Sequence, residues 1–186
     1  HGKEVLDLLV HMIDSGYLKA KDYESYFSKI YVDGRQLLKK QIAREDKDKM
    51  EKAAMKDKAS SLYYAPYLDY DREMESGNSE LDKYVVLLLP YRDKNPGVQS
   101  FFDQLMQTGD KRLLYNTFIH LLRHKQKVPD SLLTIFAAND KYRSELYKDL
   151  EKMKKLDKFP AAHKNQLSIA RSMLLSSSTR YDRMDT

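Results

Sequence analysis

Two histidines one helical turn apart have the type and spacing of metal ligands. His120 and His124 stand four residues apart in a predicted helix, so both imidazole rings can reach one side. Zinc enzymes with this spacing carry Glu directly after the first His, where this chain has Leu121, and no third ligand is evident in the sequence. The nearby Arg123 and Lys125 would repel a cation. We therefore expect two partly exposed histidines, and we assign neither a metal nor a cofactor.

An acidic stretch before the middle of the chain has the spacing of a calcium loop. Asp69, Asp71, Glu73 and Glu80 match positions 1, 3, 5 and 12 of that loop. The loop requires Gly at its sixth position, where this chain has Met74. We interpret the stretch as an acidic, solvated connector.

Four tyrosines are the residues that we predict to contact a partner. They are Tyr63, Tyr64, Tyr67 and Tyr70, and three of them share one helical face if the helix continues through Pro66. Tyrosine combines a large contact area with a polar tip and loses little side-chain entropy, which suits recognition of a peptide or a sugar. The alternative is that these rings seal the joint between the helices on either side.

The positive charge of the chain is concentrated in one predicted helix. The net charge is +5, and residues 35–58 hold nine basic and five acidic residues. Lys39, Lys40 and Arg44 could contact phosphates, but interleaved acids and the lack of aromatic residues are unlike a nucleic-acid surface. We expect a solvated helix stabilised by ion pairs, and we do not expect nucleic acid to be the partner.

The sequence offers no catalytic motif. The chain has no cysteine, which excludes disulfides, thiolate zinc sites and cysteine nucleophiles. It also lacks a nucleophile elbow, a glycine-rich phosphate loop and a nucleotide fingerprint. Acidic residues are plentiful, but the pattern places none of them in an apolar pocket. An enzyme or a sugar-binding domain would require a closed, acid-lined pocket, and it stays a secondary alternative.

Composition predicts that helices carry all of these residues. Hydrophobic residues make up 41% and charged residues 33% of the chain, while Gly (6) and Pro (5) are scarce. The longest apolar run, 84–89, is far shorter than the ~20 residues that span a membrane. The sequence thus favours a soluble, all-α protein. In its first part we expect helices over Lys3–Ser15, Asp22–Gly34 and Arg35–Ser61, with glycines as stops and Glu45–Lys49 as an exposed ion pair.

From residue 79 onward the pattern becomes regular. Pro96, Pro129 and Pro160 each open the second helix of a predicted pair, and they lie 33 and 31 residues apart. A period in the low thirties with two helices per unit is typical of an α-solenoid. We expect about three hairpins, with helices over residues 79–90, 96–109, 110–124, 129–139, 140–156 and 160–175.

Each of these helices has an apolar face that one hairpin alone could not bury. The predicted core residues are Phe101, Phe102 and Leu105; Leu114, Phe118 and Leu121; Leu132, Leu133 and Phe136; Tyr142, Leu146 and Leu150; and Leu167, Ala170 and Leu174. The run 84–89 alone could be a buried strand, but the flanking caps and the repeat phase favour a helix.

The paired helices of residues 79–175 resemble the HEAT and tetratricopeptide classes of α-solenoid in architecture. The signature residues of the tetratricopeptide class are not recognisable, and the period is shorter than its ~34 residues. The segments Val128-Pro129-Asp130-Ser131-Leu132-Leu133 and Lys155-Leu156-Asp157-Lys158-Phe159-Pro160 also resemble helical tails of bacterial exported proteins of the TraB/GumN group. Nothing in the chain resembles the catalytic domain of that group, so the resemblance implies no activity.

These patterns predict a four-part chain and a non-enzymatic function. We expect a helical hairpin with a long basic helix (1–62), a tyrosine-rich acidic connector (63–78), a helical-repeat array (79–176) and a polar tail (177–186). Stacked hairpins expose an extended surface, which suits an interaction module that binds an unidentified protein segment. The alternative is a structural spacer within a larger chain. The compartment stays open, because an export signal could lie outside this sequence.

Overall fold

The computed structural model describes residues 2–58 and 80–178, and all of the regular structure in these ranges is helical. The predicted all-α class is therefore confirmed. The helices are α1 (Gly2–Asp14), α2 (Phe27–Lys58), α3 (80–88), α4 (Pro96–Leu105), α5 (Lys111–Arg123), α6 (Asp130–Ala138), α7 (Asp140–Lys152) and α8 (Gln166–Ser178). The described residues fall into two compact units, divided between His120 and Leu121. In the described ranges, no helix has the length and apolar character needed to cross a membrane.

The predicted helix end at Gly34 is wrong, because α2 continues through this residue to Lys58. A Cβ atom at position 34 would lie 3.2 Å from the Cβ and Cδ1 atoms of Tyr84 and 3.3 Å from the Cδ1 atom of Leu88. These distances are tighter than ordinary van der Waals contact, so the glycine allows α2 and α3 to approach each other closely. The glycine therefore serves the packing of two helices and does not terminate one.

The buried face of α2 changes from apolar to polar along the helix. Its buried residues are spaced three or four apart, and they are Ile30, Gly34, Leu38, Gln41 and Glu45. Beyond them the helix is mostly exposed, and Lys47–Glu51 and Asp46–Lys49 form ion pairs on its surface. The predicted exposed pair of Glu45 with Lys49 is wrong, because Glu45 is only 8% exposed and points into the protein.

The Glu45 carboxylate binds the turn between α4 and α5. Its Oε2 atom accepts a hydrogen bond from the backbone amide of Gly109 at 2.8 Å, and its Oε1 atom accepts one from the Thr108 hydroxyl. The side-chain amide of Gln41 donates to Glu45 Oε1 at 3.0 Å and to Asp110 Oδ2 at 3.4 Å. A buried carboxylate is tolerated only when hydrogen bonds replace its water, and here three donors do so. The network therefore fastens α2 to the start of α5.

Helix α3 and the two helices after it form the apolar core of the first unit. Residues 84–89 are all buried in α3 and the 3₁₀ turn that follows it, which confirms the helix and excludes the strand alternative. The predicted core residues of α4 are fully buried. Side chains cap the first turns of α4 and α5, because Asn95 and Asp110 accept hydrogen bonds at 2.9 to 3.2 Å from first-turn amides.

In the second unit, a buried arginine joins three helices. The Arg143 guanidinium donates to the carbonyl oxygens of Ala137 (2.6 Å) and Ala138 (2.9 Å), which end α6. It also donates to the carbonyl oxygen of Ser168 on α8 at 3.2 Å, and it forms an ion pair with Asp140 on α7. Arginine has five N–H donors, so one side chain can satisfy several orphan carbonyls at a helix end. The sequence pattern did not indicate this role.

The predicted core residues of α6 and α7 are buried, but those of α8 are not. Leu167 is 82% and Leu174 is 71% exposed, and Ala170 is exposed as well, so the predicted apolar face of α8 is wrong. Helix α8 meets α7 through serines, since the Ser144 amide donates to the fully buried Ser172 hydroxyl at 2.9 Å. Apolar spacing alone therefore pointed to the wrong side of this helix.

The last helix also begins later than predicted. Pro160 is followed by a short 3₁₀ turn, Ala161–His163, and α8 begins only at Gln166. The side chain of Asn165 accepts a hydrogen bond from the Ser168 amide at 2.7 Å, so it supplies the cap. The regular spacing of helix starts is lost here, and the repeat arrangement stays a prediction.

Removing the Glu45 carboxylate should destabilise the protein. We expect Glu45→Leu to lower the free energy of unfolding by about 2 to 4 kcal/mol, because Gly109, Thr108 and Gln41 lose their acceptor. Urea titration followed by circular dichroism measures the change. Glu51→Gln is the matched control on the exposed side of α2, and it should change stability by less than about 0.5 kcal/mol. Equal losses in the two variants would contradict this assignment.

Candidate binding groove

Several predicted site residues lie outside the described residues. They are the four tyrosines Tyr63, Tyr64, Tyr67 and Tyr70, together with the first three acids of the calcium spacing, Asp69, Asp71 and Glu73. The fourth of those acids, Glu80, is the first residue of α3. The partner-binding tyrosines therefore stay a prediction.

The remaining candidates are described, and each can be placed on a helix. Lys39, Lys40 and Arg44 are exposed on α2, on the side away from its buried stripe. His120 is half-buried in α5, and His124 follows the end of that helix and is exposed. In the part of the chain that the structure describes, no group of three His, Asp or Glu side chains could hold a metal ion.

An aromatic row that was not predicted joins the start of α2 to the turn after α3. Tyr91 packs edge-on against Tyr23, with ring centroids 5.9 Å apart. The ring centroids of Tyr91 and Phe27 are 4.6 Å apart. Phe27 in turn lies parallel to Tyr31, with ring centroids 5.9 Å apart. Such ring pairs add stability beyond the area that they bury. The row therefore holds residues from two distant segments in one place.

Hydrogen bonds to backbone carbonyls fix two rings of this row. The Tyr23 hydroxyl donates to the carbonyl oxygen of Leu87 at 3.0 Å, and the Tyr91 hydroxyl donates to that of Ala20 at 2.6 Å. Burial raises the pKa of both tyrosines, and Glu24 adds to the effect at Tyr91. Both hydroxyls are therefore neutral donors at physiological pH.

Beside the row lies a half-open cavity of about 310 Å³, which we call the Phe27 groove. It is lined by Ala20, Lys21, Glu24, Phe27, Pro90, Tyr91, Lys94 and Asn95. The rings of Phe27 and Tyr91 are half-buried, whereas the two lysines and Pro90 are exposed. The groove thus combines an apolar wall with charged side chains that reach solvent.

The α4 end of the groove has a fixed geometry. The Asn95 side-chain oxygen accepts hydrogen bonds from the amides of Gly97 (2.9 Å) and Val98 (3.2 Å). This capping orients the Asn95 amide, and it leaves the Nδ2 atom as a donor. A Cβ atom at Gly97 would clash with the hydroxyl oxygen of Tyr31, so the glycine lets α4 approach the aromatic row.

The sequence alone did not indicate the groove, because only the residues from one of its two segments form a local pattern. Tyr23, Phe27 and Tyr31 are four residues apart, which a helical reading can find. Tyr91 comes from a turn that lies 60 to 68 residues later in the chain. Nothing in the local sequence pairs these segments.

A second cluster that was not predicted consists of buried carboxyl groups near the start of α5. Asn116 donates to Asp82 Oδ2 at 2.6 Å, while Asp82 Oδ1 is buried without a hydrogen-bond partner among the described residues. Burial raises the pKa of Asp82 to about 6, opposed by Asn116 and Arg112 and assisted by the charge of Asp110. Burial likewise raises the pKa of Asp110. Structural clusters and active sites both show such shifts, so the cluster alone does not indicate catalysis.

Comparison with known proteins gives no relative from which a site could be transferred, since no family model, curated protein or solved structure matches the chain.

The buried Asp82 should make stability depend on pH. Its pKa is about 6 in the folded protein against 3.8 for an ordinary Asp, so the folded state favours the protonated carboxyl group. The contribution of Asp82 to the free energy of unfolding is therefore highest below about pH 4, and it falls as the pH rises from about 4 to 6. We expect Asp82→Asn to remove this contribution of Asp82 to the pH dependence. The shift corresponds to about 3 kcal/mol, but Asp82 is only half-buried and solvent screens part of it, so the variant should be about 1 to 2 kcal/mol more stable than wild type at pH 7.

Urea titrations across this pH range measure the difference between the two proteins. The exposed Asp103→Asn is the matched control and should follow the wild-type curve. A constant difference between wild type and Asp82→Asn at all pH values would contradict the assignment.

Proposed function

We propose that the chain is a non-enzymatic interaction module that binds a segment of another protein, and that the Phe27 groove receives this segment. The observation that carries the proposal is the half-buried pair of rings, Phe27 and Tyr91, in a cavity that opens to solvent. Aromatic residues are enriched in protein interfaces because they bury a large area at low entropic cost.

The size of the groove supports binding of side chains. A cavity of about 310 Å³ lies at the lower end of the range of ligand pockets, and it can hold a few side chains of a peptide. A folded partner would cover it together with the surface around it.

The groove is also fixed before any ligand binds. The Tyr91 hydroxyl is bound to the Ala20 carbonyl, and the Asn95 side chain is bound to the first turn of α4. Side chains that are already ordered lose little entropy on association, which favours affinity.

The alternatives predict different properties of the same surface. An enzyme or a sugar-binding domain would need a closed, acid-lined pocket, whereas this groove is half-open and carries two lysines and one glutamate. A structural spacer would show no binding that depends on the groove. The repeat architecture, which would add an extended surface to the module, is proposed on sequence spacing alone.

Substitution of Phe27 should abolish binding of peptide ligands. We would select peptides on the immobilised protein from a random library and then measure their affinities by fluorescence anisotropy. Affinity for Phe27→Ala should fall at least about 10-fold, as expected for a central aromatic contact. The matched control is Tyr26→Ala, since Tyr26 is 65% exposed and does not line the groove.

NMR spectra of the wild-type protein locate the bound peptide independently of the variants. A bound peptide should shift the NMR amide signals of residues 20–27 and 90–95, whether or not the Phe27 variant remains folded. Peptides that bind both variants equally and shift signals elsewhere would refute the groove as the site. An absence of selected peptides would favour the spacer.

A further inference from the structure

On the basis of the function proposed for the Phe27 groove, we infer that the segment bound there carries a carboxylate beside an apolar side chain. The charges and donors that line the groove lie beside two aromatic rings, and together they favour an acidic peptide segment as the partner.

The groove presents two lysines that form no ion pair with another described side chain. Lys21 comes from the segment before α2, and Lys94 comes from the turn before α4. Both are exposed, and neither forms an ion pair with any residue that the structure describes. A carboxylate between or beside them would gain charge-assisted hydrogen bonds.

The neutral donor of the groove favours the same ligand. Because the Asn95 oxygen is occupied by the cap of α4, the Asn95 side chain can offer only its N–H groups. The Tyr91 hydroxyl already donates to the Ala20 carbonyl, so it can only accept from a ligand. Lys21, Lys94 and the Asn95 amide remain as donors, and they match an acceptor such as a carboxylate.

Glu24 is the one lining residue with the opposite charge. Its charge adds to the raised pKa of the Tyr91 hydroxyl, after the larger effect of burial. Two cations against one anion leave the lining with a net positive charge. A basic segment would meet one attractive and two repulsive groups, so charge complementarity favours an acidic segment.

The aromatic wall requires an apolar neighbour for that carboxylate. The Phe27 and Tyr91 rings, 4.6 Å apart, form a surface that a Leu, Met or Phe side chain can cover. Exposed Pro90 extends this surface. An acid without an apolar neighbour would gain only exposed ion pairs, which contribute little.

The test compares peptide selections on two forms of the protein. A random peptide library is selected on wild type, and clones that lose binding to Phe27→Ala are sequenced. We expect Asp or Glu to be enriched within two positions of an apolar residue. A parallel selection on the variant with both Lys21→Glu and Lys94→Glu should lose this preference and favour Lys or Arg.

Affinity measurements on single clones complete the test. We expect the double charge reversal to weaken binding of the wild-type clones about 10-fold, and high salt to weaken it as well. Lys29→Glu is the matched control, because Lys29 is exposed on α2 and does not line the groove.

The outcomes separate the two proposals. Groove-dependent clones without acids, or with Lys or Arg in their place, would overturn the inferred chemistry and leave the interaction module standing. If no clone depends on Phe27, both proposals fail. Because the preference is read from wild-type clones that depend on Phe27, the result does not require the charge-reversed variant to fold.

Discussion

The carboxylate of Glu45 accepts hydrogen bonds from residues that lie 63 and 64 positions further along the chain. An apolar contact in its place would tolerate small shifts of α2, but a buried carboxylate must meet its donors directly or lose the hydrogen bonds that replace water. A shift of α2 by one residue would turn this side chain by about 100° away from the Gly109 amide. The network therefore fixes both the rotation and the register of α2 against the turn that leads into α5.

That register determines what happens at the other end of α2. Phe27 lies roughly 27 Å from Glu45 along the helix axis. Gly34 lies between them, at a close approach of α3. With α2 held at Gly34 and at Glu45, Phe27 meets the ring of Tyr91. The groove is thus a product of tertiary packing. A partner of the kind that we propose would meet a surface whose Tyr91 and Asn95 side chains are already held by hydrogen bonds, which lowers the entropy cost of binding.

Local signals in the sequence were sufficient for the helical class and for several caps, because residues such as Asn95 bind amides only two or three positions away. Local signals failed where the same residue type occurs in two different structural roles. Gly34 has the appearance of a helix stop but permits close packing, and Glu45 has the spacing of a surface ion pair but is buried. The apolar residues of α8, such as Leu167, follow a helical period, yet Leu167 is exposed and the buried Ser172 hydroxyl bonds to α7. The groove needed Tyr91, whose position depends on how distant segments pack.

The most direct test of this account is the hydrogen-exchange rate of the Gly109 backbone amide, measured by NMR in the native protein. Gly109 is an exposed residue, and its backbone amide donates to the Glu45 carboxylate at 2.8 Å. If Glu45 fastens α2 as described, the amide should exchange at least about 100-fold more slowly than in an unstructured peptide. Exchange at the rate of an unstructured peptide would show that the contact is not formed, and it would remove the basis for the register of α2 and for the groove.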